Sequence, residues 1–251
     1  MYKYIFITVF LSVSIFSFAQ KKISEMYHPE MIETNINGTG FVFEIEFYKG
    51  PEIYYPLMAI WIEDTAGNYI QDLYVAESIA KGVFNYGKVK DNRWVKESKR
   101  RPAALPYWGH KRNIKAEDGL YIPTPTNPVV DAYTGATPTS DFILKTKSDK
   151  ELSQKFRILF EINQSWDWNE YWTNNKYPDD EDYKSSAQPA LVYEAEIDLD
   201  SGKKEYEMRV VGHSHYSGKT GELYADLSTF TTALEITGKI VIKIKGVSKK
   251  N

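Results

Sequence analysis

Apolar residues that alternate or run continuously predict β-strands through most of the chain. Residues 41–48 place an aromatic or aliphatic side chain at every second position with glutamates between, the pattern of a strand with one buried face. Residues 57–62 are apolar throughout, and a turn at 64–68 leads into a returning arm at 69–75. Further strands are predicted at 156–162, 191–199, 205–211 and 239–245, with the middle two forming a hairpin across residues 200–203.

These elements predict an all-β fold. Only residues 229–236 favour a short helix, and no strand–helix alternation indicates parallel pairing. We therefore expect one antiparallel β-sandwich domain over residues 20–251. Residues from about 76 to 152 separate the first hairpin from the next predicted strand, and this segment is far longer than an ordinary connection. We expect this segment to be a long ordered insertion between early strands, held by its own aromatics or by a ligand, and to carry a site.

The first residues have the features of an export signal. Lys3 precedes an apolar run at residues 5–18, which is shorter than the roughly 20 residues that span a bilayer. Ser17 and Ala19 provide small residues at positions −3 and −1 of a cleavage site. We expect residues 1–19 to be a cleaved signal peptide. The mature protein is then periplasmic or secreted and is not inserted in the membrane.

Composition excludes several functions. The chain has no cysteine, so disulfides, zinc–thiolate sites, cysteine nucleophiles and lipoprotein acylation are ruled out. A net charge of −3 gives no electrostatic case for nucleic acid as a partner. The sequence also lacks a Gly-x-Ser-x-Gly elbow, a His-Glu-x-x-His motif and a phosphate-binding glycine loop, so nothing supports hydrolysis.

One motif in the insertion has a specific chemistry. Asp131-Ala-Tyr-Thr-Gly-Ala-Thr137 has the form Asp-x-x-Ser/Thr-Gly-Ala-Ser/Thr. It resembles the acceptor motif of exported redox proteins on which a magnesium-dependent flavin transferase places FMN, taken from FAD, in phosphoester linkage. The resemblance implies that Thr137 is the acceptor and that Asp131, Thr134, Gly135 and Ala136 are recognition residues. The alternative is a Thr-Gly turn in a loop, where these residue types are common.

The rest of the insertion supplies cations and aromatics that suit a flavin. Arginine and lysine side chains bind phosphate, and indole or phenol rings stack on an isoalloxazine ring. We assign Arg101 and Trp108 to these roles. The other candidates are Arg100, Lys111 and Arg112 for the phosphate and Trp94 and Tyr107 for the ring.

Two further blocks carry a wider resemblance. Residues 212–235 and 57–64 are similar to an exported family of unknown function, whose members are compared with the immunoglobulin-like domain of the flagellar hook-capping protein. Its members accompany PepSY-type membrane reductases and flavin transferases. The resemblance implies an immunoglobulin-like β-sandwich and these two proteins as partners. Better-known flavinylated subunits have a different FMN domain around the motif, so only the motif itself is carried over.

The sequence therefore predicts a flavin-binding redox protein with covalent FMN on Thr137, more an electron carrier than a self-sufficient enzyme. The alternative is a carbohydrate-binding module that uses Trp166, Trp168 and Trp172, or a purely structural module. The same aromatics suit a flavin ring equally well, and alternate aromatics of this kind more often simply cover the open end of a sandwich.

A metal site is also considered at the end of a predicted strand. His213 and His215 lie two residues apart, so their side chains share a direction, and Asp226 is a further candidate ligand. Such histidines more often hydrogen-bond a turn. We assign no metal to the protein.

Overall fold

The computed structural model describes residues 28–247. The predicted signal peptide lies outside these residues. Within them, none of the helices is long and apolar enough to cross a bilayer. In chain order, the elements are β1 (Glu30–Glu33), β2 (Phe41–Lys49), β3 (Pro56–Glu63), β4 (Tyr69–Ala76), α1 (Glu77–Lys81), β5 (Val83–Lys90), β6 (Arg93–Ser98), α2 (Pro106–Arg112), a 3-10 helix (Asp131–Tyr133), β7 (Thr134–Gly135), β8 (Phe142–Lys147), β9 (Lys155–Gln164), α3 (Glu181–Lys184), β10 (Leu191–Asp198), a 3-10 helix (Leu199–Ser201), β11 (Glu205–Glu207), β12 (Arg209–His213), a 3-10 helix (Thr232–Glu235) and β13 (Thr237–Val247).

Two β-sheets pack face to face. The five-stranded sheet has the order β1-β8-β2-β13-β11, and the six-stranded sheet has the order β12-β10-β9-β3-β4-β7. Strands β5 and β6 form a separate hairpin. The predicted all-β sandwich is confirmed.

The sheets are mixed, so the prediction of purely antiparallel pairing is wrong. Strand β1 pairs with β8 in parallel, and β4 does so with β7. Both parallel pairs join a short edge strand to a partner far along the chain. A long connection removes the need for the tight turn that favours antiparallel neighbours.

The main core lies between the sheets. In β2, Phe43, Ile45 and Phe47 face inward and are buried, which confirms the predicted alternation. On the outer face of the same strand, Glu44 pairs with Lys245 and Glu46 with Lys243, both on the neighbouring β13. The outer face of the five-stranded sheet is therefore charged and open to solvent.

The six-stranded sheet is buried on both faces. Every residue of β3 is buried. Its Met58, Ile60 and Ile62 belong to the core between the sheets, whereas Leu57, Ala59 and Trp61 belong to a second core on the opposite face. This two-sided burial explains why residues 57–62 are apolar without alternation.

The segment from 76 to 152 builds that second core. Helix α2 lies against the outer face of the six-stranded sheet, where Trp108 is 0% exposed. The indole N–H of Trp108 donates to the Asp72 carboxylate at 2.7 Å. The backbone N–H groups of Tyr107 and Trp108 donate to the two carboxylate oxygens of Glu161, at 3.2 and 2.7 Å. The start of α2 is thereby tied to strand β9.

Strand β8 also lies in this segment and was missed by the sequence prediction. Its Phe142, Leu144 and Thr146 point into the core and Ile143 and Lys145 point away. The strand therefore alternates like β2, but over fewer residues. The five-stranded sheet therefore includes a strand from the middle of the chain, between β1 and β2.

One predicted strand is divided between the sheets. Residues 205–211 were predicted as a single arm of a hairpin, but β11 joins the five-stranded sheet and β12 the six-stranded sheet. The buried Met208 alone connects them. Only β12 pairs with β10, as the predicted hairpin requires. The short helix predicted at 229–236 is a 3-10 helix at Thr232–Glu235.

The second core generates a stability prediction. We expect Trp108→Ala to lower the free energy of unfolding by about 3–5 kcal/mol, because it leaves a cavity and removes a donor from buried Asp72. Urea unfolding followed by circular dichroism measures this. The control is Tyr171→Ala, at a half-exposed ring outside both cores, which we expect to cost less than about 1 kcal/mol. Equal losses in the two variants would contradict a structural role for α2.

Candidate functional site

A cleft of about 900 Å³ opens at one end of the six-stranded sheet. It lies where β3 begins and β9 ends, and these two ends are neighbours because Pro56 pairs with Gln164. Helix α1 and the start of β5 form another wall. The lining is mostly apolar and includes the rings of Tyr54, Phe84 and Trp166. A cleft of this size and character is typical of a site for a small organic ligand.

The acceptor-like motif reaches this cleft through its last two residues. Strand β7 pairs with Val75 and Ala76 at the end of β4, and the chain then continues along the cleft wall. The Tyr74 hydroxyl donates to the carbonyl of Ala136 at 2.7 Å, which fixes the backbone there. Ala136 and Thr137 both line the cleft.

The hydroxyl of Thr137 is free of hydrogen bonds in the part of the chain that the structure describes. The side chain of Thr137 is half-buried and lines the cleft. A hydroxyl in such a position can bond a ligand in the cleft without breaking an existing interaction.

The earlier residues of the motif have local structural roles. A Cβ atom at Gly135 would lie 2.9 Å from the ring of Tyr74, so a side chain there would displace this ring. The Thr134 hydroxyl donates to the carbonyl of Asp131 at 3.3 Å and closes a turn. Asp131 is exposed, with a carboxylate oxygen 3.8 Å from the Lys81 amine. A turn accounts for Asp131 and Thr134 and strand packing for Gly135, but neither accounts for Thr137.

Arg101 lines the cleft, as Lys81 and Lys96 of the insertion also do, and it lies next to an exposed indole. Its guanidinium lies 4.4 Å from the ring centroid of Phe84 and 5.8 Å from that of Trp166. One terminal nitrogen donates to the Ser165 hydroxyl at 2.9 Å. The buried Nε has no hydrogen-bond partner, and across the described part of the chain no carboxylate forms an ion pair with this residue. Burial lowers the pKa of Arg101, as expected for a cation whose charge is not neutralised.

The other three phosphate candidates are already paired. Arg100 makes two contacts with Asp118, at 2.7 and 3.0 Å. Lys111 is 3.4 Å from Glu63, and Arg112 is 3.4 Å from Asp72. The sequence alone cannot distinguish these three cations from Arg101, because the carboxylates that pair with them lie elsewhere in the chain.

Trp108 does not lie in the cleft, which corrects its assignment to the flavin ring. The side chain is fully buried in the second core, and its indole N–H is bonded to Asp72. A ligand could contact it only by displacing α2. The exposed ring in the cleft is instead Trp166, which the sequence placed in a different aromatic run.

The three tryptophans of the carbohydrate hypothesis do not share an exposed surface. Trp172 is 6% exposed, and its indole N–H donates to the Thr229 hydroxyl at 3.1 Å. Trp168 packs against the core with its ring edge-on to Tyr183. These two cover the end of the sandwich, and Trp166 alone of the three is exposed, at 54%.

The histidine pair is held by local contacts. His213 Nδ1 lies 2.8 Å from the carbonyl of Ser214, and the ring stacks on Tyr224 with centroids 5.3 Å apart. His215 Nδ1 accepts from the backbone N–H of Ser217 at 3.2 Å. Asp226 accepts from the N–H of Ser228. In residues 28–247, no group of three or more histidine, aspartate and glutamate side chains is arranged to hold a metal ion.

Burial of His213 generates a prediction about acid stability. Burial lowers the pKa of His213 below the value of about 6.5 that an unfolded chain has. Between those two values the unfolded chain binds more protons, so the folded state loses stability as the pH falls through this window. We expect His213→Phe to lose less unfolding free energy than the wild type between about pH 7 and about pH 5.

Urea unfolding at a series of pH values measures the effect. His28→Phe, at an exposed histidine, is the control and should follow the wild-type profile. If the profiles of His213→Phe and the wild type are parallel, protonation of His213 does not contribute to acid sensitivity.

Comparison with known proteins adds no relative to this picture. No protein-family model, curated protein or solved structure matches the chain. The function is therefore inferred from the cleft and from the motif that reaches it.

Proposed function

We propose that the protein is an exported flavin-binding redox protein that carries FMN covalently on Thr137 and exchanges electrons with a membrane reductase. The observation that carries the proposal is that the hydroxyl marked by the motif is free of hydrogen bonds within residues 28–247 and lies in a ligand-sized cleft. The same cleft presents Arg101, a cation that forms no ion pair within that range.

The residues present fit FMN in three respects. A threonine hydroxyl can form a phosphoester, and the guanidinium of Arg101 matches a phosphate group, which it can bind through two N–H donors. The rings of Tyr54, Phe84 and Trp166 provide flat apolar surface for an isoalloxazine. The cleft volume of about 900 Å³ lies within the range of sites for molecules of this size.

The attachment itself is a phosphoryl-group transfer made by a separate transferase. The Thr137 oxygen forms a bond to the FMN phosphorus of FAD, the pyrophosphate bond breaks, AMP leaves, and the hydroxyl proton passes to a base of the transferase. Gly135 and Ala136 keep the chain narrow around the acceptor, which suits entry into an enzyme site. Bound FMN supplies the redox chemistry, and the protein then needs only to hold it and to shield it partly from water.

The partners and location follow from the resemblance. We propose a flavin transferase and a PepSY-type membrane reductase as partners and a periplasmic or secreted location, with no role for nucleic acid. The protein would act as an electron carrier more than as a self-sufficient enzyme. The immunoglobulin-like class of the sandwich stays a prediction of the same resemblance, and the proposal does not depend on it.

Carbohydrate binding is the second candidate, in a changed form. The exposed rings of Tyr54, Tyr55 and Trp166 line one cleft together with the polar side chains of Gln164 and Asn85. Flat rings beside amides suit the apolar faces and hydroxyl edges of sugars. This candidate predicts a colourless protein whose tryptophan fluorescence responds to glycans.

The test of the first proposal is attachment of flavin at Thr137. We expect the protein, exported together with a flavin transferase of its own host, to give a fluorescent band on a denaturing gel and an intact mass increased by one FMN. Thr137→Val keeps the shape of the side chain and removes the nucleophile, so both signals should vanish.

Thr139→Val is the matched control. Thr139 lines the same cleft wall two positions beyond the motif, and its replacement should leave the mass increase unchanged. A non-fluorescent band of unmodified mass from the wild type would overturn the proposal. Flavin attached to the Thr137→Val protein would overturn it as well.

A further inference from the structure

Trp166 combines two unfavourable features, an exposed aromatic ring and a backbone in the left-handed region. Its side chain is 54% exposed, whereas Trp168 and Trp172 of the same run pack into the end of the sandwich. Its φ of +61° lies in the left-handed region, which bulky residues rarely adopt. Exposure of a large apolar ring and a strained backbone are both unfavourable, and such combinations concentrate at ligand sites.

The residues on either side of Trp166 hold the strained backbone in place. Ser165 accepts a hydrogen bond from Arg101, and the carbonyl of Asp167 accepts one from the backbone N–H of Gln188 at 3.2 Å. The Asp167 carboxylate also accepts from the Thr232 hydroxyl. The indole is therefore presented to the cleft by a fixed frame and is not part of a loose loop.

The contacts of the indole define the ligand it would take. Arg101 lies near the ring and also over Phe84, so a positive charge is built into the aromatic wall. More than half of the Trp166 side chain is exposed, and it lines the cleft. The cleft lining also includes the carboxylates of Glu52, Glu77 and Asp167, of which Glu77 pairs with Lys81 and Asp167 accepts from Thr232. Beside the indole, flat apolar surface lies next to a cation that forms no ion pair within residues 28–247, and this combination complements a ligand that is both planar and anionic.

We propose that Trp166 is the residue on which the heteroaromatic ring of the cleft ligand stacks. Naming that ring as an isoalloxazine rests on the proposed function, in which FMN is attached at Thr137. Arg101 provides the positive charge that balances the phosphate of the same ligand. Trp166 is thus a positioning residue: it orients the ring and takes no part in the attachment.

The experiment measures the fluorescence of the attached flavin. An indole stacked on an isoalloxazine quenches its emission, so the folded wild type should emit several-fold less than the same protein after urea denaturation. Trp166→Ala should recover most of this emission while the attached mass is unchanged. Trp166→Phe retains a flat ring and should remain partly quenched.

Tyr171→Ala is the matched control. Tyr171 is an aromatic ring of the same run and similar exposure, but it lies outside the cleft lining and contacts Lys176 instead. Its removal should leave the flavin emission at the wild-type value. Circular dichroism and the urea midpoint of each variant verify that the fold is retained.

The outcomes separate this inference from the proposed function. Attached flavin with equal emission in the wild type and Trp166→Ala overturns the stacking role and leaves covalent attachment intact. A wild type without attached flavin overturns the proposed function, and free riboflavin then becomes the probe. In that case, binding weakened by roughly 5- to 100-fold in Trp166→Ala supports a ring site, as for other lost aromatic stacks. Equal binding, or none, overturns it.

Discussion

The structure depends on the need to bury the six-stranded sheet on both faces. Its central strands β3 and β9 carry apolar side chains on each side, and the second sheet can cover only one of them. The other face also holds the buried carboxylates Glu63, Asp72 and Glu161, which have to receive hydrogen bonds or ion pairs. The insertion provides the apolar cover and, through α2, the donors to Asp72 and Glu161, whereas Glu63 pairs most closely with Arg157 of β9. Glu161 is fully buried, and this burial raises its pKa to about 8.

The cleft is a product of the same constraint. Arg101 comes shortly before α2, so the anchoring of α2 on Glu161 also sets the position of the cation. Thr137 follows the edge strand paired with β4, and Trp166 follows β9. The groups of the site are therefore positioned by strand ends of a single sheet and by the cover that the sheet requires. A site held by rigid elements in this way has little freedom to collapse when it is empty.

The sequence predicts those elements whose signal is local. The strong period of β2 and the unbroken apolar run of β3 were recognisable because each reflects its own burial. Local pattern could not reveal that the chain changes sheets at Met208, since no glycine or proline marks the place and the alternation continues through it. In the site, the motif located Thr137, whereas the choice of Arg101 over Arg100 depends on a distant Asp118. Likewise, tertiary packing buries Trp108 and exposes Trp166, and the residue type alone does not predict which of the two is exposed.

The two sides of the sandwich differ in their access to other macromolecules. On one side β11 and β12 are consecutive parts of one chain segment, so this segment joins the two sheets covalently. Moving the sheets apart on this side would break hydrogen bonds in both sheets. On the opposite side the sheets end in the short strands β1 and β7. The motif at Asp131–Thr137 lies along this side, where the sheets are linked by hydrogen bonds such as that from the Thr34 hydroxyl to the carbonyl of Leu73. Asp131 and Ala136 of the motif are exposed there. Under the proposed function, a transferase could thus modify the folded protein at this side without first unfolding it.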